Sequence, residues 1–177
     1  PPPFRARMPE EPLREAHLAW TPGADPRPLV YITFGTIVGG MARARHIYRL
    51  SLDAVADLPA RFVLTTGPGV GADVLGEIPS NVQVEAWIPQ REVLAHAAAV
   101  VCHGGSGSVR GALAAGLPLV VVPFGADQPF NAQRIAAVEA GIALPDPTAS
   151  TLRAAIERAL VDADLRDPDS ATNWPSA

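Results

Sequence analysis

Short runs of β-branched and aromatic residues alternate along this chain with segments whose apolar residues recur every three or four positions. Leu29 to Phe34 is the first such run and ends at Gly35. Ile47, Leu50, Ala54 and Leu58 then mark one face of a helix that Pro59 stops. Arg61 to Thr66 predicts a second strand, closed by Gly67-Pro68-Gly69, and Asn81 to Ala86 a third. A brief helix over Gln90 to Ala97 leads to a fourth strand, Ala99 to Cys102, and a helix over Ser106 to Ala115. Leu119 to Val122 is a fifth strand, Gln128 to Ala140 a helix, and Ile142 to Leu144 a short sixth strand. The last helix starts at Ser150, with Leu152, Ala155, Ile156, Ala159 and Leu160 on its core face. This alternation predicts right-handed βαβ crossovers and an α/β, Rossmann-like, doubly wound parallel sheet. The ligand of such a sheet lies beyond the carboxyl ends of its strands.

The two ends of the chain break the pattern. Prolines at 1–3, 9, 12, 22, 26 and 28 forbid regular helix, so residues 1–28 are expected to be a linker. Residues 162–177 lack apolar periodicity and are expected to form an irregular or truncated tail. That leaves residues 29–161 as one domain, for which a content of 48% hydrophobic residues supplies ample core. The net charge of -4 argues against nucleic-acid or membrane-surface binding, since both favour a basic face. The one cysteine, Cys102, excludes an internal disulfide and a multi-cysteine metal site, and reads as a small buried strand residue. Without a long apolar run or a leader-like start, a cytoplasmic location is expected.

The candidate chemistry sits after the fourth strand. His103-Gly104-Gly105-Ser106-Gly107-Ser108 joins that strand to a helix N-terminus. Free N–H groups and the positive end of the helix dipole attract phosphate there, and glycines let a ligand approach the backbone. Ser106 and Ser108 are hydroxyl donors or helix caps, and His103 can donate to a phosphate oxygen. The spacing differs from the dehydrogenase glycine fingerprint, and a chain without lysine cannot form a P-loop.

Around this turn lie Trp87-Ile88-Pro89-Gln90, Val93-Leu94, His96, the run Ala112 to Pro118, Pro123, and Asp127-Gln128 followed by Asn131-Ala132. As a set these resemble the donor-binding signature of the UDP-glycosyltransferase superfamily, in particular its bacterial natural-product members. The resemblance extends over about residues 28–161. It implies one half of a two-domain GT-B fold, with the nucleotide sugar bound on this half. Trp87 is then implied to stack on the nucleobase, Ile88 to meet it through its backbone, and Gln90 to reach the ribose. His103, Gly105, Ser106, Gly107 and Ser108 are implied to hold the diphosphate, with Thr36 near it or capping a turn. Asp127 and Gln128 are implied to bind hydroxyls of the donor sugar, or to start a helix. Asn131 is equally compatible with a structural role, and His96 is expected to be structural on its helix.

The chain departs from the family at two places. Many members place a glutamate eight residues after the histidine to bind both ribose hydroxyls, and here that position is Gly111, beside Arg110. A 2′-deoxy donor, a dTDP-sugar, is therefore favoured over a UDP-sugar. The acceptor domain with its general base is also missing, so the chain is expected to be a C-terminal domain or fragment whose partner is that domain. The implied reaction is an inverting transfer of a hexose or deoxyhexose to a hydroxyl of a small-molecule natural product. His103 would stabilise the leaving diphosphate, with no cofactor and no metal. Asp162-Ala163-Asp164 spells a metal motif of another glycosyltransferase fold and is read as coincidence. The alternatives are a non-catalytic nucleotide-binding module or partner subunit and, more remotely, a nucleotide-sugar epimerase.

Overall fold

The computed structural model describes residues 25–35, 42–67, 70 and 75–166. Most of the expected linker, Thr36, and residues 167–177 of the expected tail lie outside the described residues. The strands are β1 (Leu29–Thr33), β2 (Arg61–Thr65), β3 (Val82–Glu85), β4 (Ala99–Cys102), β5 (Leu119–Val121) and β6 (Gly141–Ala143). The described α-helices are α1 (Ala42–Val55), α2 (Gln90–Leu94), α3 (Ser106–Ala114), α4 (Gln128–Ala137) and α5 (Ala149–Val161). All neighbouring strands run parallel, in the order β3-β2-β1-β4-β5-β6.

A parallel sheet covered on both faces needs strands that are apolar throughout, and all five residues of β1 are buried. One face carries Ile32, Phe62, Leu64, Val101 and Val120 against Ile47 and Tyr48 of α1 and Leu152 and Ile156 of α5. The other carries Tyr31, Val63, Val100 and Val121 against Val93 of α2, Val109 of α3 and Ile135 of α4. The order of the strands reverses between β1 and β4. Connections leave those two strands in opposite directions, so their carboxyl ends open a crevice. No helix among the described residues is long and apolar enough to cross a membrane.

The expected elements appear with shifted ends. Helix α2 stops at Leu94, because Ala95 and His96 close it with turn hydrogen bonds to Arg91 and Val93, so His96 is exposed and off the helix. Helix α5 starts one residue before Ser150. Thr148 is its cap: its hydroxyl accepts from the Thr151 N–H, and the Thr151 hydroxyl accepts in return from the Thr148 N–H. Residues 164–166 of the expected irregular tail form a short 3-10 turn with Leu165 buried. The Asp162 carboxylate pairs with Arg158 at 3.1 Å and accepts from the Asp164 N–H, which terminates α5.

Candidate functional site

The carboxyl ends of β1 and β4 are the adjacent pair Thr33 and Cys102, and each is followed by a residue of the crevice, Gly35 on one side and His103 on the other. Gly35 has φ +79, a conformation that costs an L side chain about 1–2 kcal/mol. A side-chain carbon there would lie 3.0 Å from His103 Cε1, and one at Gly105 would collide with His103 Nε2. The imidazole is thus held between two glycine backbones. Burial lowers its pKa from the ordinary 6.5, while the Asp127 carboxylate and the backbone of Thr33 oppose that shift. Among the described residues its enclosed Nδ1 has no hydrogen bond of good geometry. Cys102 beneath it is fully buried and its thiol is pushed up to about 12, so it behaves as a packing residue.

Gly104 turns the chain at φ +88, and a carbon added there would lie 2.9 Å from Val121 Cγ1 and 3.2 Å from the Gln128 carbonyl. The cap of α3 is Gly105, which has no side chain to offer, so neither Ser106 nor Ser108 is the cap. The first-turn N–H groups of Ser106, Gly107 and Ser108 have no partner within the helix, and no described residue lies within 4 Å of a carbon added at Gly107. Together with the helix dipole this is an open concentration of hydrogen-bond donors suited to an anion.

A cleft of about 330 Å³ adjoins this turn through Gly35 and Ser108. Its floor includes Tyr31 and Thr65, whose hydroxyls meet at 3.1 Å, and its wall includes Trp87, Ile88 and Gln90. Trp87 is 46% exposed although it is the largest side chain of the loop after β3, whereas Ile88 is buried in the core. An aromatic face left open over a cleft can stack on a planar ligand. Gln90 lies against Gly111: a carbon added at Gly111 would meet Leu94 Cδ1 at 3.0 Å and Gln90 Nε2 at 3.1 Å. Among the described residues, the enclosed amide nitrogen of Gln90 has no partner.

On the other side of the turn, Asp127 and Gln128 start α4. Asp127 occupies the cap position, but its side chain makes no capping hydrogen bond. Its Oδ2 accepts from Asn131 Nδ2 at 3.1 Å and from the Ser106 hydroxyl at 3.5 Å. Gln128 Oε1 accepts from the N–H groups of Phe124 (2.8 Å) and Gly125 (3.3 Å), fixing the loop in which Ala126 adopts φ 54. The buried Asn131 also donates to the Gly104 carbonyl at 2.9 Å, a link with no signature in the sequence. Of the expected site residues inside the described region, Trp87, Ile88, Gln90 and Ser108 line the cleft, His103 packs against Gly35 at its edge, and Ser106 links the turn to Asp127. The run Ala112 to Pro118 plays a different part: Gly116 and Leu117 N–H groups close α3 on the Leu113 and Ala112 carbonyls.

Residues 49–173 match the family model described as erythromycin biosynthesis protein CIII-like, C-terminal domain. The chain is 36% identical over 157 residues to demethyllactenocin mycarosyltransferase of Streptomyces fradiae, covering 88% of this chain and 33% of that protein. It is similar to the crystal structure of the calicheamicin glycosyltransferase, with a TM-score of 0.76 and 32% identity over 87% of this chain and 41% of the other. It is also similar to spinosyn rhamnosyltransferase in complex with thymidine diphosphate, with a TM-score of 0.71 and 28% identity over 84% of this chain and 42% of the other. The chain thus spans well under half the length of the proteins it matches.

Proposed function

The chain belongs to the family of erythromycin biosynthesis protein CIII-like C-terminal domains, and from that membership we propose that it is the nucleotide-sugar-binding half of a GT-B glycosyltransferase. The observation that carries this reading is the order in which three features follow one another at the carboxyl ends of the strands. A half-exposed Trp87 stands over one end of a cleft, an uncapped helix N-terminus with His103 lies beside it, and Asp127 lies beyond. Those features match, in order, a base, a diphosphate and a hydroxyl-bearing sugar.

In the proposed reaction a base on the other half removes a proton from a hydroxyl of a small-molecule natural product. The oxygen attacks the anomeric carbon, configuration inverts, and the nucleoside diphosphate leaves. Charge grows on the diphosphate as its bond to the sugar breaks. Donors already fixed at that point stabilise the transition state more than the ground state. His103 and the N–H groups of Ser106, Gly107 and Ser108 are proposed to supply these donors, and the proposed step invokes no metal. This half alone is proposed to bind the nucleotide sugar without turnover.

A thymidine diphosphate donor is favoured over a uridine one. Gly111 has no side chain to offer a carboxylate to a ribose 2′-hydroxyl, and the ends of Gln90 and Leu94 close on the space beside it. The likeness to a rhamnosyltransferase complexed with thymidine diphosphate points the same way. Calorimetric titration of the chain with the two nucleotides tests the choice: tighter binding of thymidine diphosphate is expected, and tighter binding of uridine diphosphate overturns it.

A further inference from the structure

Asn131 is 6% exposed, and both hydrogens of its amide nitrogen are committed, one to the Gly104 carbonyl (2.9 Å) and one to Asp127 Oδ2 (3.1 Å). Gly104 belongs to the diphosphate turn, and Asp127 is the carboxylate assigned above to the sugar. Asp127 itself is exposed and lacks the capping hydrogen bond that usually anchors an aspartate at a helix start. Its only other side-chain hydrogen bond among the described residues is the long one from Ser106, at 3.5 Å. An exposed carboxylate held so loosely would sample several rotamers, and each ordered rotamer costs binding free energy. The buried amide removes that freedom by gripping one oxygen and leaving Oδ1 for a ligand.

We propose that Asn131 is a positioning residue that locks the Asp127 carboxylate in register with the Gly104 turn, so that sugar and diphosphate are recognised as one rigid unit. The inference rests on the reading of Asp127 as a sugar ligand. The register has a second support at Gly104, where the Gln128 carbonyl would be met at 3.2 Å by any added side-chain carbon. Turn and helix start are therefore close-packed, and Asn131 is the buried hydrogen-bonding tie between them, beside the long Ser106–Asp127 contact.

The test uses thymidine diphosphate and thymidine diphosphate glucose as probes and takes the ratio of their dissociation constants on the chain. Asp127→Ala should lower the relative preference for the sugar-bearing probe at least about fivefold, the loss expected for a charge-assisted hydrogen bond. Asn131→Ala should lower it by a similar factor, and adding Asn131→Ala to Asp127→Ala should change it no further. A residue that only held the fold together would weaken both probes equally and leave the ratio at its wild-type value, which overturns the proposal. An unchanged ratio in Asp127→Ala overturns the sugar reading of Asp127 itself, and the inference with it. If the alanine variant does not fold, Asn131→Ser, too short to span Gly104 and Asp127 together, is measured in its place with the same expected fall in ratio.

Discussion

His103 Cε1 lies 3.0 Å from the point where a side chain at Gly35 would begin, so the loop after β1 and the turn after β4 fix one another's geometry. Gly35→Ala should therefore act on the ligand as well as on the fold. Gly116→Ala is the control, because Gly116 has a similar φ of +65 and no described residue within 4 Å of the added carbon. Both variants should lose about 1–2 kcal/mol of stability from backbone strain. Only Gly35→Ala should also weaken thymidine diphosphate binding, by about tenfold or ~1.4 kcal/mol. Calorimetry and denaturant unfolding separate the two effects, and equal binding losses in both variants would contradict the coupling.

The same burial makes stability depend on pH through His103. Its folded pKa lies below the ordinary 6.5, so between those two values the unfolded chain holds more protons than the folded one. Stability contributed by the neutral ring is therefore complete above about pH 7 and falls as the pH drops through 6.5. Unfolding curves from about pH 8 to pH 5 should show this decline, and His103→Gln, which cannot titrate there, should flatten it. A bound diphosphate favours the protonated ring and should reduce the slope as well. An unchanged slope in His103→Gln would refute the assignment.

Trp87 should contribute to binding far more than to folding, because its indole is 46% exposed. Trp87→Ala is expected to cost about 1–3 kcal/mol of nucleotide affinity, the range measured for a base stacked on an aromatic ring. The folded chain should lose under about 1 kcal/mol. Indole fluorescence quenched by thymidine diphosphate in the wild-type chain should be insensitive to it in Trp87→Phe when that variant is excited at the tryptophan band. Quenching that persists there would place the stacking at another residue.

The sequence already contained the sheet, because β-branched runs such as Leu29 to Phe34 can be satisfied only between two apolar layers. It also contained the glycine turn, since the order strand, glycines and helix start is local. The contacts around the turn were less legible. The motif singles out Asn131 without deciding between a structural and a ligand-binding role, and its partner appears only when α4 is docked against Gly104, 27 residues earlier. Gln128 spends its amide oxygen on the loop before it, and nothing in the motif distinguishes that from ligand binding. The early end of α2 was hidden because Ala95 and Ala97 are good helix formers, and the turn toward β4 overrides that preference.

Glu139 shows how the sequence can depart from a local optimum. Helix α4 ends as α3 does: the N–H groups of Glu139 and Ala140 close on the Ala136 and Ile135 carbonyls, just as those of Gly116 and Leu117 close on Leu113 and Ala112. This ending places its first outer residue in the left-handed region, where glycine is normally found. Gly116 sits there at φ 65, but α4 places Glu139 there at φ 56. The glutamate is exposed, so removing its side chain uncovers no buried partner. Glu139→Gly relieves the steric cost at Cβ but frees an extra residue in the unfolded chain, so the net gain should be about 0.5–1 kcal/mol. The corresponding rise in melting temperature is about 1–4 °C. Nucleotide affinity should stay at the wild-type value, because this end of α4 points away from the cap at Asp127 that faces the ligand. A variant that melts lower than the wild type would show that the glutamate side chain contributes more than its backbone conformation costs.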